Sequence, residues 1–322
     1  MRPPDFWSST DAIAKVKAAL LSPLSALYLA GARFQRAHAN PRKASVPVIC
    51  VGNLTIGGTG KTPIAIAIAR LLSERGQSPV FLTRGYGGHV AGPVRVDAVQ
   101  HSAVQVGDEA LLLAKTGPTI VGRDRAKGAD LAERCGANVI IMDDGHQNFS
   151  LTKDLSFVVV DAETGFGNGY VIPAGPLRET IEEGLARAHA IVLVGNGHPR
   201  LPRHTIPEIR AHIIPSEPDV VRGKRIFAFA GIGRPQKFFA TLENIGTIIC
   251  GTMEFPDHHM FTSIELANLR DAAQRADAIL VTTEKDWVRI APGQRGDIEY
   301  VAVRAVFDRT EEIMKLVDGL GR

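Results

Sequence analysis

The stretch Gly52-Asn53-Leu54-Thr55-Ile56-Gly57-Gly58-Thr59-Gly60-Lys61-Thr62 holds the residue types that bind a polyphosphate. Glycines leave backbone N–H groups uncovered, and at the start of a helix those groups point at an anion. In such a loop Lys61 reaches the β- and γ-phosphates, and the Thr62 hydroxyl binds Mg2+. The G-x-x-x-x-G-K-[ST] spacing asks for glycine at position 55, where Thr55 stands. Gly57 and Gly58 supply backbone freedom in its place. The candidate nucleotide ligands are therefore Thr55, Gly57, Gly58, Thr59, Gly60, Lys61 and Thr62.

Carboxylates occur where such a loop would need them. Residues 139–142 are Val-Ile-Ile-Met and run into Asp143 and Asp144, the pattern of a strand whose terminal Asp holds Mg2+ directly or through water. Two adjacent carboxylates repel each other without a cation, which favours a metal over a structural role. Asp108-Glu109 precedes the apolar segment 110–114 and reads in two ways. It is either acidic capping of a helix start or a proton acceptor beside a metal-binding carboxylate. Arg123, in Gly122-Arg123-Asp124-Arg125, is either a guanidinium that neutralises charge on a transferring phosphoryl group or part of a solvated charge cluster. Thr83-Arg84-Gly85-Tyr86-Gly87-Gly88 reads as a flexible loop near phosphate or as a plain turn. Pro173-Ala174-Gly175-Pro176-Leu177-Arg178-Glu179 is a proline-bounded turn that would line a cleft, with Arg178 available to an acidic substrate. His258 precedes a capping box, Thr262-x-x-Glu265. It is either a structural residue near the cap or a partner that orients, or shares a proton with, a catalytic carboxylate.

Several short, β-branched, uncharged runs must position these groups. Those at 79–83, 139–142, 157–160 and 190–194 read as strands covered by helices on both faces. They predict an α/β fold with a P-loop NTPase-type, mostly parallel sheet flanked by helices and sites at the carboxyl ends of its strands. The proline-rich stretch 201–221 reads as an interdomain connection, after which βα alternation restarts at 226–230 and continues through 247–250 and 278–282. The predicted division is a basic amphipathic arm (1–45), a P-loop domain (46–215) and a smaller α/β domain (216–322) closing over the site. A length of 322 residues suits more than one core.

Composition narrows the function classes. At 45% hydrophobic and 22% charged the chain reads as soluble and globular, and a net charge of +3 argues against nucleic-acid binding by the whole surface. Residues 1–45 hold seven bases and two acids, a net +5, so the remainder carries −2. Within this arm Leu20, Leu21, Leu24, Leu27, Tyr28 and Leu29 lie between Lys15 and Lys17 on one side and Arg33 and Arg36 on the other. Pro23 is expected to bend or restart the helix, and the charge-free run 18–32 is too short to span a bilayer. The arm reads either as an interfacial helix on anionic lipid or as a helix capping the core. No small-residue cleavage site marks a signal peptide. Cys50, Cys135 and Cys250 form neither a disulfide framework nor a zinc spacing, which favours a reducing cytosol.

Taken together, the motifs resemble those of the tetraacyldisaccharide 4′-kinase family, the lipid A 4′-kinases of Gram-negative bacteria, over nearly the whole chain. The resemblance rests on the glycine loop through Pro63, Arg84-Gly-Tyr-Gly-Gly88, Gly107-Asp108-Glu109 and Arg123-Asp-Arg125. It continues through Asp143-Asp144-Gly145, the 173–179 turn, Asp257-His258 and Thr283-Glu-Lys-Asp286. On that basis Thr55 is the family's own pattern. The resemblance implies transfer of the ATP γ-phosphate to the 4′-hydroxyl of a tetraacyldisaccharide 1-phosphate, at the cytoplasmic face of the bacterial inner membrane. ATP and Mg2+ are the implied cofactors, and a glycolipid and a membrane surface the implied partners; nucleic acid and an obligate protein partner are not expected. Carried onto matching positions, Thr62, Glu109, Asp143 and Asp144 form the metal site. Asp108 takes the hydroxyl proton, oriented by His258, while Lys61 and Arg123 complete the catalytic set. His146 and Asn148 stand where the family often shows Phe and His, so a role for that His does not carry over. A GTPase switch would want N/T-K-x-D, and Thr283-Glu284-Lys285-Asp286 has its lysine one place late. A non-enzymatic adaptor would have no need of four carboxylates.

Overall fold

Val48–Gly52, the strand that feeds the glycine loop, is buried along its whole length. In the computed structural model, which describes residues 4–9 and 11–321, this strand (β1) lies inside a nine-stranded sheet. Arg2, counted among the arm's bases, lies outside the described residues. The chain continues through β2 (Pro79–Thr83), β3 (Val94–Arg95), β4 (Thr119–Val121), β5 (Val139–Asp143), β6 (Leu155–Asp161), β7 (Ala190–Val194) and β8 (Glu208–Pro215). It then forms β9 (Arg225–Ala230), β10 (Ile248–Glu254), β11 (Ile279–Thr283), β12 (Glu299–Val301) and β13 (Val303–Phe307). The large sheet has the order β13-β8-β7-β6-β1-β5-β2-β4-β3, and a second sheet the order β10-β9-β11-β12. Among the described residues only the edge strands β3 and β13 run antiparallel to their neighbours.

Alternate residues of β1 feed opposite faces, as the two-residue period of a strand requires. Ile49 and Val51 pack with Ile64, Ile68 and Leu72 of the helix Lys61–Glu74. Val48 and Cys50 pack with Val80, Leu82, Ile140 and Met142 on the other side. Both faces being covered, nothing polar is tolerated along the strand, and each buried large aliphatic contributes about 1.5–3 kcal/mol.

The small sheet is wholly parallel and packs the helices Pro235–Ile245 and Ser263–Arg275 through Phe238, Leu242, Leu266 and Leu269. Two readings of the sequence differ from the observed arrangement: 201–221 as an interdomain connection, and the far end of the 216–322 domain. The proline-rich stretch 201–221 contains β8, a full member of the large sheet. Residues 303–321 also pack on the large sheet: β13 pairs with β8, and the helix Thr310–Asp318 sends Ile313 and Met314 into its core. A strand that pairs back across some ninety residues leaves no local trace in composition.

The arm is one continuous helix, Ala12–Ala37, with Pro23 inside it. Pro23 has no N–H to give the carbonyl of Ala19, and the Ser22 hydroxyl donates to that oxygen instead, at 2.8 Å. The expected break at Pro23 is therefore absent. The charge-free run stays at 18–32, bounded by Lys17 and Arg33, but the helix around it is 26 residues long. By length and composition alone that helix is able to cross a membrane, which the short charge-free run did not suggest.

The two sheets are joined across the carboxyl end of β6. The Asp161 carboxylate accepts from Arg234 Nη1 and from Lys237 Nζ, both at 2.8 Å, and its other oxygen accepts from the N–H groups of Glu163 and Thr164. Burial would raise this carboxyl, but Lys237 and Arg234 hold it below the ordinary range. A carboxyl depressed in the fold stabilises it above the unfolded value of about 4 and loses that contribution as pH falls through the folded value. Asp161→Asn, which keeps the turn acceptor, is expected to cost about 1–2 kcal/mol at pH 7. In thermal melts the gap to wild type narrows as pH falls below the unfolded value of about 4; a gap independent of pH would contradict the ion-pair account.

Candidate active site

Gly60, at φ +89°, makes the left-handed turn that delivers Lys61 and Thr62 into the first turn of their helix. The loop is braced by the 173–179 turn. The Ile56 N–H donates to Pro176 O at 2.8 Å and the Arg178 N–H to Leu54 O at 2.7 Å, while Thr55 forms an antiparallel bridge with Leu177. Thr55 is thus a paired residue, and the uncovered backbone falls at Gly57 and Gly58. Asn53 Nδ2 donates to Thr55 O and to Thr59 Oγ1, at 2.8 and 3.3 Å. Arg178, expected to face an acidic substrate, instead donates to Asp144 Oδ1 at 2.9 Å.

The paired carboxylates at the end of β5 have unequal surroundings. Burial pushes Asp144 up, but Lys61 and Arg178 outweigh it and hold its carboxyl below the usual range. Lys61 Nζ stands 3.7 Å from Asp144 Oδ1, too far for a hydrogen bond. Asp143 is fully buried; its Oδ2 accepts from the Thr62 hydroxyl at 2.9 Å, and its Oδ1 has no hydrogen-bond partner. Burial, aided by the charge of Glu109, pushes this carboxyl up to about 7. A hydroxyl and an orphaned buried carboxylate oxygen at the mouth of a phosphate loop fit a hard divalent cation. The expected acidic trio does not gather: among the described residues no three His, Cys, Asp or Glu side chains come close enough to hold a metal ion. Glu109 is drawn aside to Lys285 Nζ, at 3.1 Å.

Asp108 opens the helix Asp108–Ala114, and Gly107 before it has φ +88°. A Cβ at Gly107 would stand 2.4 Å from the carbonyl oxygen of Tyr86, so the Arg84–Gly88 loop packs directly on the turn that aims Asp108. Asp108 is 4% exposed, and its Oδ2 lies 2.9 Å from Nδ1 of His258, which belongs to the second lobe. The same oxygen accepts from Arg289 Nε at 2.6 Å, and Oδ1 accepts from the Glu109 N–H at 2.7 Å. Burial would raise the Asp108 carboxyl, but Lys285, His258 and Arg289 overcome it and hold it well below the carboxylate range.

Arg123 is exposed, and its Nη2 donates to Gly88 O at 3.1 Å. Its neighbour Arg125 is the buried one. Burial, then the nearby Arg84, bring Arg125 down to about 10, while the charges of Asp144 and Asp143 act in the opposite direction. His146 is a buried structural residue: its Nε2–H donates to Gly184 O at 2.9 Å, and burial pushes its ring down to about 4. Arg289 escaped the sequence reading altogether. The available signal was its position three residues after Asp286, the spacing of a helical ion pair.

A family model described as Tetraacyldisaccharide-1-P 4′-kinase matches residues 17–321. The chain belongs to this family. It is 46% identical to the tetraacyldisaccharide 4′-kinase of Methylobacterium radiotolerans, over 99% of this chain and 98% of that one. It is 47% identical to that of Paramagnetospirillum magneticum, over 100% and 99%. Among solved structures it is similar to LpxK from Aquifex aeolicus in complex with ATP, with 27% identity, a TM-score of 0.75, and coverage of 94% of this chain and 99% of that one. The α/β fold expected from the sequence is thus the fold of a tetraacyldisaccharide-1-phosphate 4′-kinase.

In this kinase the raised Asp143 carboxyl has a thermodynamic consequence. The folded state holds that proton more tightly than the unfolded chain, so stability falls as pH rises from about 4 to about 7. Asp143→Asn is expected to raise the melting temperature at pH 8 without Mg2+ by roughly 2–4 °C. It should also abolish the stabilisation that Mg2+ gives wild type. An equal response of both proteins to Mg2+ would remove Asp143 from the metal site.

Proposed function

We propose that the chain transfers the γ-phosphate of ATP to the 4′-hydroxyl of a tetraacyldisaccharide 1-phosphate, using the residues brought together at this cleft. Family membership supports the reaction, with ATP and Mg2+ as its cofactors. The observation that carries the site assignment is the joining of Asp108, from the P-loop lobe, to His258, from the other. The amides of residues 57–60 cradle the polyphosphate, and Lys61 moves from Asp144 onto its outer oxygens. Thr62 and Asp143, with Asp144 beside them, would hold the cation, with Glu109 adding charge without ligation. Bound there, Mg2+ would supply charge neutralisation for the phosphate oxygens.

Proton transfer runs opposite to the sequence expectation. An ionised carboxylate only accepts hydrogen bonds, so Nδ1 of His258 carries the proton that Asp108 receives. Nε2 of His258 is left with a free lone pair, while both Asp108 oxygens are already taken. The 4′-hydroxyl proton therefore goes to Nε2 of His258, and Asp108 balances the imidazolium that forms. A loose phosphoryl transition state asks little of this base. Because the pair spans both lobes, it exists only when the cleft is closed and water excluded, which limits ATP hydrolysis.

The arm supports action at the cytoplasmic face of the inner membrane. Its small residues Ala14, Ala18 and Ser25 face the protein, while Ile13, Leu20 and Leu27 are 69–75% exposed. Large apolar groups turned outward between basic ends suit a bilayer surface carrying anionic lipid.

With ATP and detergent-dispersed acceptor, Lys61→Ala and His258→Ala are each expected to lower kcat by about 10³-fold or more, with glycolipid binding kept. Near-normal turnover in both would reject the site, and nucleotide turnover indifferent to the acceptor would favour a switch. Replacing Leu20, Leu24 and Leu27 together by Glu should abolish flotation with anionic vesicles and leave kcat in detergent within about twofold of wild type. Unchanged flotation would place the membrane contact elsewhere.

A further inference from the structure

Behind the Asp108–His258 pair lies a guanidinium that is 1% exposed. Arg289 Nε donates to Asp108 Oδ2 at 2.6 Å, the same oxygen that receives His258 Nδ1–H, and its Nη2 stands 2.5 Å from that oxygen without a hydrogen bond. Its Nη1 donates in the other direction, to Gly231 O at 2.7 Å and to Asp286 Oδ1 at 2.8 Å. Asp286 is itself fully buried and held by the Thr283 hydroxyl at 2.6 Å and the Gly231 N–H at 3.1 Å. The Gly231 carbonyl also accepts the backbone N–H of His258, at 3.1 Å. One carbonyl of the second lobe thus sets both Arg289 and His258, and the Asp108 carboxylate of the first lobe docks in the notch between them.

We propose that Arg289 is a positioning residue for phosphoryl transfer, acting through Asp108 to aim the imidazole of His258 when the lobes come together. The inference rests on the reading of Asp108 and His258 as the proton-accepting pair. A carboxylate held by one neighbour swings about its side-chain torsions; held as well by a planar guanidinium whose far end is fixed on Gly231 and Asp286, it has one orientation. His258 follows that orientation, because its own backbone is pinned at φ +59° and only the ring is left to turn. A lysine at this position keeps the charge but cannot bridge Asp108 to Gly231 and Asp286 through a rigid plane.

The full chain is assayed with ATP and detergent-dispersed tetraacyldisaccharide 1-phosphate. Arg289→Met is expected to lower kcat about 100-fold and Arg289→Lys about tenfold, with KM for both substrates within about threefold of wild type. In an Asp108→Asn background neither substitution lowers kcat further, since a residue acting through Asp108 has nothing left to aim. A purely structural arginine gives losses that add in full to that of Asp108→Asn, and this result overturns the proposal. So does unchanged kcat in both single variants. Melting curves establish that each protein is folded; if Arg289→Met is not, the cycle with Arg289→Lys decides alone. Near-normal kcat in Asp108→Asn and His258→Ala defeats the underlying reading itself, whatever Arg289 does.

Discussion

Four carboxylates removed from water set the terms on which the cleft is built. Asp108, Asp143 and Asp286 are at most 4% exposed, and Asp144 is half-buried. A buried charge must be paired or neutralised, and each of these meets that demand differently. Asp108 has Arg289 and His258, Asp286 has Arg289 and Thr283, and Asp144 has Arg178 and Lys61. Asp143 has a hydroxyl alone, and its carboxyl rises accordingly. The unequal pairing separates the chemistry: well-compensated carboxylates orient other groups, and the uncompensated one suits a cation.

The same constraint couples the two lobes. The partners of Asp108 and Asp161, namely His258, Arg289, Arg234 and Lys237, all lie between β9 and β13. Separating the two sheets would expose charges on both sides, so these pairs favour the docked arrangement. Two of the three left-handed non-glycine residues among the described ones fall at the same places. Asp144 at φ +52° and His258 at φ +59° are left-handed without being glycine, a conformation costing about 1–2 kcal/mol that persists where surrounding contacts over-determine it. Arg178 and Lys61 hold the first; the Gly231 carbonyl and the Asp257 carboxylate hold the second.

The arm obeys a different rule. Its core-facing side carries alanines and a serine, whose hydroxyl donates to Val171 O at 2.7 Å, so the helix approaches the protein closely while Leu20, Leu24 and Leu27 turn away. Sequence alone showed a helix with basic ends, but which face met the protein was not written in the spacing. Burial inverted the usual expectation, because small residues allow the tighter fit and leave the large apolar ones on the outer face.

What the sequence determined by itself were the features that depend on neighbours along the chain. The strand–glycine loop–helix unit, the uncharged run ending in Asp143, the capping box at Thr262 and the limits of β2 and β7 all follow from local spacing and local solvation. Tertiary structure decided everything that depends on pairing between distant segments. It returned β13 to the large sheet, drew Glu109 away from Asp143 toward Lys285, buried Arg125 in preference to Arg123, and placed Arg289 behind Asp108. Charges are assigned partners by proximity in three dimensions, and a carboxylate's ionisation answers to those partners and to burial. Two acidic residues side by side in the chain, Asp108 and Glu109 or Asp143 and Asp144, therefore end with different work.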